Sequence, residues 1–391
     1  MSVTADVDAK LVGAARLIAA EIAAPNAIEV DKEARFPAET VAALRDERLL
    51  SALVPVELGG AGASLETVAQ ICFELGRRCG ASGMVFAMHQ IQVACMVDHR
   101  GDHAPWFDEY LREVVAEQRL IASITSEIGT GGDMGKSVAS VADVGDGYRR
   151  FEKQAPTVSY GSHADAFLTT VRRAPDAEPG DQVAILTRRD QMEMEPQGTW
   201  DPLGMRGTCS PGFVVKADFA VEQILPVPFS TISAQTMTPV SHILWSYVWL
   251  GIATDAFDRA RAFVKAAAKR RPGEPPPAGI RLSELMSLLS LLRAEVGLAL
   301  REYSDICADD RGRLGEMATI LRFNNLKIAA SEQAPKVCQE ALGICGIVGY
   351  KNDTPFSVGR HLRDAMSARL MVANERIHAT DASLLLIAKD V

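Results

Sequence analysis

No two cysteines in this chain stand in Cys-x-x-Cys spacing. The seven cysteines lie at 72, 79, 95, 209, 307, 338 and 345, an odd and scattered set. They indicate neither a zinc site nor a disulfide framework. A basic excess is missing too, since 41 Lys and Arg face 50 Asp and Glu, for a formal charge of −9. Binding a polyanion by counterion release needs clustered cations. No nucleic-acid partner is therefore expected, and the dense basic spot is Lys269-Arg270-Arg271. The most apolar later run, Ile243 to Ala253, is about half of the ~20 residues a bilayer requires. The first residues, Met1 to Asp6, carry no apolar h-region and read as no signal peptide. These absences point to a reduced, cytoplasmic protein with no membrane span.

What is present is enough apolar matter, 48% of 391 residues, for two or three packed units. Residues 1–120 read as helical. Leu11, Ala14, Ala15, Ile18 and Ile22 recur at helical spacing, and Pro25 is expected to end that helix. Phe36-Pro37 opens a second helix, Pro55 to Gly62 reads as a loop, and helical patterns resume from Ala69 and from Val85. Over 121–232 the period shortens. Phe167–Val171, Val183–Leu186 and Gly212–Val215 are β-type runs with no helices between them, which predicts an antiparallel β-domain rather than a Rossmann unit. Long helical patterns fill 233–391, interrupted by Pro272-Gly273-Glu274-Pro275-Pro276-Pro277, which must be a loop.

Two glycine-rich segments and one basic–acidic run stand out. Gly129 to Ser137 fails the dinucleotide pattern because Met134 stands at its third glycine, and fails the P-loop pattern because Thr130 stands at its first. Gly343 to Tyr350 reads as a helix end followed by a glycine turn. Asp98-His99 and Asp102-His103 place two histidines four apart, a possible metal edge, but no third ligand is evident and no metal is expected.

Ser126-Glu127-Ile128-Gly129-Thr130-Gly131-Gly132-Asp133 resembles the Thr-Glu-Pro-x-x-Gly-Ser-Asp turn of acyl-CoA dehydrogenases. Lys153 to Thr157 resembles their Lys-x-Trp-Ile-Thr strand, Leu203 to Thr208 their Gly-x-Arg-Gly-Ser turn, and Gly343 to Tyr350 their Gly-Gly-x-Gly-Tyr turn. Arg363-Asp364-Ala365 resembles the run before their catalytic glutamate. The resemblance spans residues 35–380 and implies an α+β fold: an N-terminal helical domain (1–120), a central antiparallel β-domain (121–232) and a C-terminal four-helix bundle (233–391). It also implies FAD, contacted by Thr125, Ser126, Gly132, Thr157, Gly343, Gly346, Asn374 and Arg376, and a homo-oligomer, most simply a tetramer. Gly132 replaces a serine that helps hold the acyl-CoA, Ile128 replaces a proline, and Ala155 and Pro156 replace the aromatic and the isoleucine.

Counted from Arg363, the family glutamate falls on Val372. Valine accepts no proton, yet α,β-dehydrogenation of an acyl thioester needs a base. Glu375, nearly one helical turn on, or His242, beside the position used in some family members, would have to serve. By the same resemblance Val372 and His89 line the substrate cavity, although His89 on its apolar stretch also reads as a satisfied core histidine. Three functions follow. The first is oxidation of an acyl thioester, on CoA or a carrier protein, with a displaced base and an electron-acceptor flavoprotein. The second is a flavin monooxygenase served by a separate flavin reductase. The third is a catalytically silent subunit.

Overall fold

The computed structural model of the chain describes residues 3–101, 105–270, 275–276 and 278–387. Asp102, His103, Arg271 and most of the proline-rich loop lie outside these described residues. The N-terminal part comprises α1 (Val3–Ile18), α2 (Ala24–Lys32), α3 (Ala38–Asp46), α4 (Leu65–Arg78), α5 (Gly80–His99) and α6 (Pro105–Glu117). Pro25 does not end the first helix, contrary to expectation. A π-helical turn, Ala19–Ala23, carries the chain from α1 into α2, with the Ala24 N–H bonded to Ala19 O, and Pro25 falls in the first turn of α2. At that position a missing N–H costs little, and the wider turn eases the clash of the proline ring with the preceding carbonyl.

The Ser64 hydroxyl caps α4 by accepting from Thr67 N at 3.2 Å. Extended backbone at Cys79 separates α4 from α5. By length and composition, the segment Val7–Lys32 and α5 could each cross a membrane, but 89% of the α5 window is buried inside the fold. It is the central core helix, buried on nearly every face.

The β-part has two sheets. In the first, β1 (Ile121–Ile124) pairs with β4 (Ala166–Arg172), which pairs with β5 (Gln182–Arg188). The second has the order β2-β3-β7-β6, from β2 (Ala142–Gly145), β3 (Tyr148–Ala155), β6 (Met192–Gln197) and β7 (Gly212–Ala220). The pairs are antiparallel, as expected of this β-domain, except β1–β4, which is parallel. A parallel pair needs a long crossover. Here the segment between Ile124 and Ala166 supplies it, and that segment contains the glycine-rich turn.

Short α7 (Phe229–Ile232) leads into α8 (Thr238–Arg270), α9 (Gly279–Asp309), α10 (Met317–Tyr350), α11 (Gly359–Met366) and α12 (Asn374–Leu385). The first and last parts share one core. A Cβ at Gly76 of α4 would meet Val248 O at 2.6 Å, and one at Gly251 of α8 would meet Phe73 O at 2.5 Å, so these helices cross backbone to backbone. In the Gly343–Tyr350 cluster the long helix ends at a glycine turn, as expected. Gly346, at φ 60 and ψ −143, breaks α10, and a short second helical segment follows it to Tyr350.

Candidate functional site

The glycine-rich turn is pinned at both ends by one buried pair. Lys153 Nζ, on β3, donates to Ile124 O (3.2 Å), Thr125 O (3.3 Å) and Thr170 O (2.7 Å). Glu127 Oε2 lies 3.7 Å from it, a through-space ion pair rather than a hydrogen bond. The Glu127 carboxylate accepts from Ser137 Oγ and Ala139 N, both at 2.6 Å, and so closes the far end of the turn. Both side chains are buried. Burial pulls the Lys153 pKa from its ordinary 10.5 to about 8, with Glu127 acting in the opposite direction. Ile128, which replaces the family proline, uses its N–H: it donates to Gln154 O at 2.9 Å, a bond proline could not make.

Ser126 and Thr157 meet at the surface of this turn. Ser126 Oγ donates to Thr157 O at 2.9 Å, and the two hydroxyls lie 3.4 Å apart. Arg376, in the first turn of α12, closes over the other side. A Cβ at Gly132 would lie 1.8 Å from Arg376 Nη1, at a φ of +76 that favours glycine. A side chain at 132 would have to displace the guanidinium, the far end of a flexible arginine, from the backbone it now lies against. Among the described residues no carboxylate lies within 4 Å of Arg376.

The segment before α12 holds a residue that sequence reasoning missed. Lys327 of α10 is buried, and its ammonium donates to Val372 O (3.0 Å) and Asn374 Oδ1 (2.6 Å). Asn374 also exchanges hydrogen bonds with Ser331 at 3.1 and 3.2 Å. Burial lowers the Lys327 pKa to about 8, raised in part by Glu375 and Glu332 and lowered by Arg369. Val372 adopts φ 46, a left-handed conformation that costs a β-branched residue roughly 1–2 kcal/mol. The signal for Lys327 was a lone charge in the otherwise apolar run Leu326 to Ala330.

Several expected site residues lie elsewhere. His89 does not face a cavity: fully buried, it accepts from Ile121 N at its Nδ1 (3.0 Å), while Nε2 bonds Leu50 O (2.7 Å). It is a satisfied core histidine, with its pKa lowered by burial to about 4. His242 is no near-neutral base. Its Nδ1 bonds Phe323 O at 3.0 Å, and burial drives its pKa down to about 3. The Glu375 side chain is 76% exposed, with Arg369 3.9 Å away. Gly343 packs under Arg281 of α9, whose Nη1 donates to Gly343 O at 3.1 Å, and nothing lies within 4 Å of a Cβ at Gly346. Asp98 pairs with Arg311 and accepts from Thr236, and His99 bonds Thr236 Oγ1 at 2.9 Å, so both serve packing. Among the described residues no three His, Cys, Asp or Glu side chains are grouped to hold a metal ion.

Arg363-Asp364-Ala365 staples α11 to the Leu203–Thr208 turn. Asp364 Oδ1 accepts from Met205 N at 2.7 Å, Arg363 Nη1 donates to Leu203 O at 2.9 Å, and a Cβ at Gly204 would strike Arg363 O at 2.0 Å. Burial raises the Asp364 pKa to about 6. A cleft of about 890 Å³ between α4, α8 and α9, lined by Arg77, Asp258, Arg261, Arg293 and Arg301 among others, includes none of the residues brought together at the turn. This cleft and the residues gathered at the turn thus lie in different places.

The residues around the turn fit a flavin: two hydroxyls side by side, a backbone stretch bare of side chains at Gly129, Gly131 and Gly132, and a guanidinium above it. Residues 7–117 match the family model for the acyl-CoA dehydrogenase N-terminal domain. An amino sugar nitrososynthase of Streptomyces peucetius is 25% identical, covering 87% of this chain and 84% of its own length. A probable FMNH2-dependent monooxygenase of Pseudomonas putida is 24% identical, covering 84% of each. Among solved structures, KijD3 in complex with dTDP superposes with a TM-score of 0.84 at 25% identity, covering 97% of both chains. Butyryl-CoA dehydrogenase of Megasphaera elsdenii superposes with a TM-score of 0.80 at 19% identity, covering 99% of both. The chain is thus an acyl-CoA dehydrogenase-like flavoprotein oxidoreductase, carrying the acyl-CoA dehydrogenase N-terminal domain over residues 7–117 and sharing that fold.

Proposed function

We propose that the chain is a flavin-dependent monooxygenase whose flavin is reduced by a separate reductase. The observation that carries this reading is the residue at the family's base position. Val372 accepts no proton, His242 is buried with one ring nitrogen committed to Phe323 O, and Glu375 faces solvent. Insertion of oxygen does not require an α-proton acceptor at that point; dehydrogenation does. The likeness to the Pseudomonas putida FMNH2-dependent monooxygenase supports the same choice.

A reduced flavin held here would supply two electrons to dioxygen and the substrate two more, so that one oxygen atom would enter the substrate and the other leave as water. The chain's own residues bind and orient. The Ser126 and Thr157 hydroxyls would hydrogen-bond the flavin ring, Arg376 beside Gly132 would neutralise its negative charge, and Val372, at the base position, offers no proton acceptor. The resident flavin, FAD in the family pattern, is decided between FAD and FMN by titration. A homotetramer is part of the reading, supported by exposed apolar side chains on α9 and α10 (Ile280, Leu291, Ile347 and Tyr350, at 78%, 64%, 70% and 71% exposure) that suit burial against further copies.

The test is oxygen uptake by the purified protein supplied with chemically reduced FMN or FADH2. Protein-dependent change in the rate or products of reduced-flavin oxidation is expected. If the protein leaves both unchanged for either flavin, the oxygenase reading is lost.

A further inference from the structure

We infer that Lys327 is a positioning residue: its grip on the Val372 carbonyl and the Asn374 side chain holds the start of α12, and hence Arg376, in place over the glycine-rich turn. The inference rests on the flavin reading of that turn.

Two unfavourable features coincide here. Lys327 is a fully buried ammonium with no carboxylate within 4 Å among the described residues, held instead by a backbone carbonyl and an amide oxygen. The residue it grips, Val372, is β-branched and left-handed at φ 46. Either is destabilising alone. Together they explain each other. The left-handed turn swings the Val372 carbonyl inward to α10, where the ammonium meets it, and it leaves the chain aimed so that α12 begins at Asn374. No side chain caps that helix start, so Lys327, through Asn374 Oδ1, sets where the first turn begins. Two residues on, Arg376 lies against Gly132. A physical chain therefore runs from the core of α10 to the flavin-contacting turn. The other charges near the ammonium are Glu375, Glu332, Arg369 and, from α8, the site of His242.

This role differs from general support of the fold in a way that can be measured. Replacing a buried ammonium that lacks a counterion by an apolar side chain of similar length is close to neutral for folding. It would nevertheless free the segment to leave its left-handed conformation. If the competent arrangement then falls to about a tenth of the population, apparent flavin affinity falls about tenfold. Glycine at 372 adopts the left-handed turn without strain, so Val372→Gly should restore the arrangement that Lys327 otherwise enforces.

The experiment strips flavin from the full-length wild type, Lys327→Met, and Lys327→Met/Val372→Gly, then titrates each with FMN and with FAD while recording thermal unfolding of the stripped forms. Expected are a flavin affinity at least about tenfold weaker in Lys327→Met, an unfolding temperature no lower than wild type, and recovery of most of the affinity in the double variant. Unchanged affinity in Lys327→Met overturns the inference alone. So does a joint fall of affinity and unfolding temperature that Val372→Gly fails to reverse, because Lys327 would then be structural only. A wild type that binds neither flavin overturns the flavin reading itself, and the inference with it.

Discussion

Replacing Lys153 by Met removes the cation that pins the glycine-rich turn, and the structure sets the size of the loss. Three carbonyls, those of Ile124, Thr125 and Thr170, lose their donor. Glu127, with its side chain only 4% exposed, keeps its bonds from Ser137 and Ala139 but loses the opposite charge 3.7 Å away. Breaking a buried pair from one side costs about 3–5 kcal/mol, because a charge is left uncompensated. That is a large part of the 5–15 kcal/mol typical of a domain. Removing both charges, as Lys153→Met/Glu127→Gln, should cost less than Lys153→Met alone. The assay is urea unfolding of the four proteins of the cycle, with retained flavin absorbance as a local readout. Lys153→Met should release flavin at urea concentrations below global unfolding, since Thr125 and Ser126 are the residues freed. A loss under about 1 kcal/mol, within the range of an ordinary point substitution, would refute the reasoning. A double variant as unstable as the sum of the singles would refute it too.

His89 supplies a pH test. Its folded pKa, about 4, lies below the unfolded value of 6.5. Its contribution is therefore intact above pH 6.5 and is lost as pH falls towards 4, on the order of 3 kcal/mol in all. His89→Gln can keep both bonds, to Leu50 O and from Ile121 N, and should move the acid-unfolding midpoint to lower pH; an unmoved midpoint contradicts the assignment. Gly132→Ser should displace the Arg376 guanidinium and weaken flavin binding in the wild type but much less in an Arg376→Ala background, read by flavin titration of the four combinations. Val372→Glu exchanges a β-branched side chain for an unbranched one at φ 46, so folding should be unharmed by thermal melt, and no acyl-CoA oxidation is expected from it. Light scattering at micromolar concentration should give a tetramer, and a stable flavin-loaded monomer would contradict the role assigned to the apolar faces of α9 and α10.

Much of the architecture was legible because it is written in local chemistry. Strands β4, β5 and β7 announce themselves as short β-branched and aromatic runs, and the family-like turns carry glycines at fixed offsets. The parallel β1–β4 pair was not legible, because the direction of β1 depends on a crossover rather than on its own four residues. Pro25 misled because the rule that proline ends a helix ignores the π-turn that admits it. At the site, the sequence brought Ser126, Thr157, Gly132 and Arg376 into view, and the structure puts them in two contacting pairs. It misplaced His242, and of its two readings of His89 only the core one stands, since burial, which decides whether a histidine titrates near neutrality, comes from helices far away in sequence. Lys327 was passed over for the same reason: its partners, Val372 and Asn374, lie on another helix start.

The most direct test is anaerobic. Flavin-loaded protein is titrated with a panel of saturated acyl-CoAs of short to long chain while the oxidised-flavin absorbance is followed. A site with Val372 where a base should stand is expected to leave the flavin oxidised throughout, because general-base catalysis contributes about 10²–10⁴-fold. Rapid, stoichiometric bleaching by any member of the panel, lost in Glu375→Gln, would contradict the account and return the chain to the dehydrogenases.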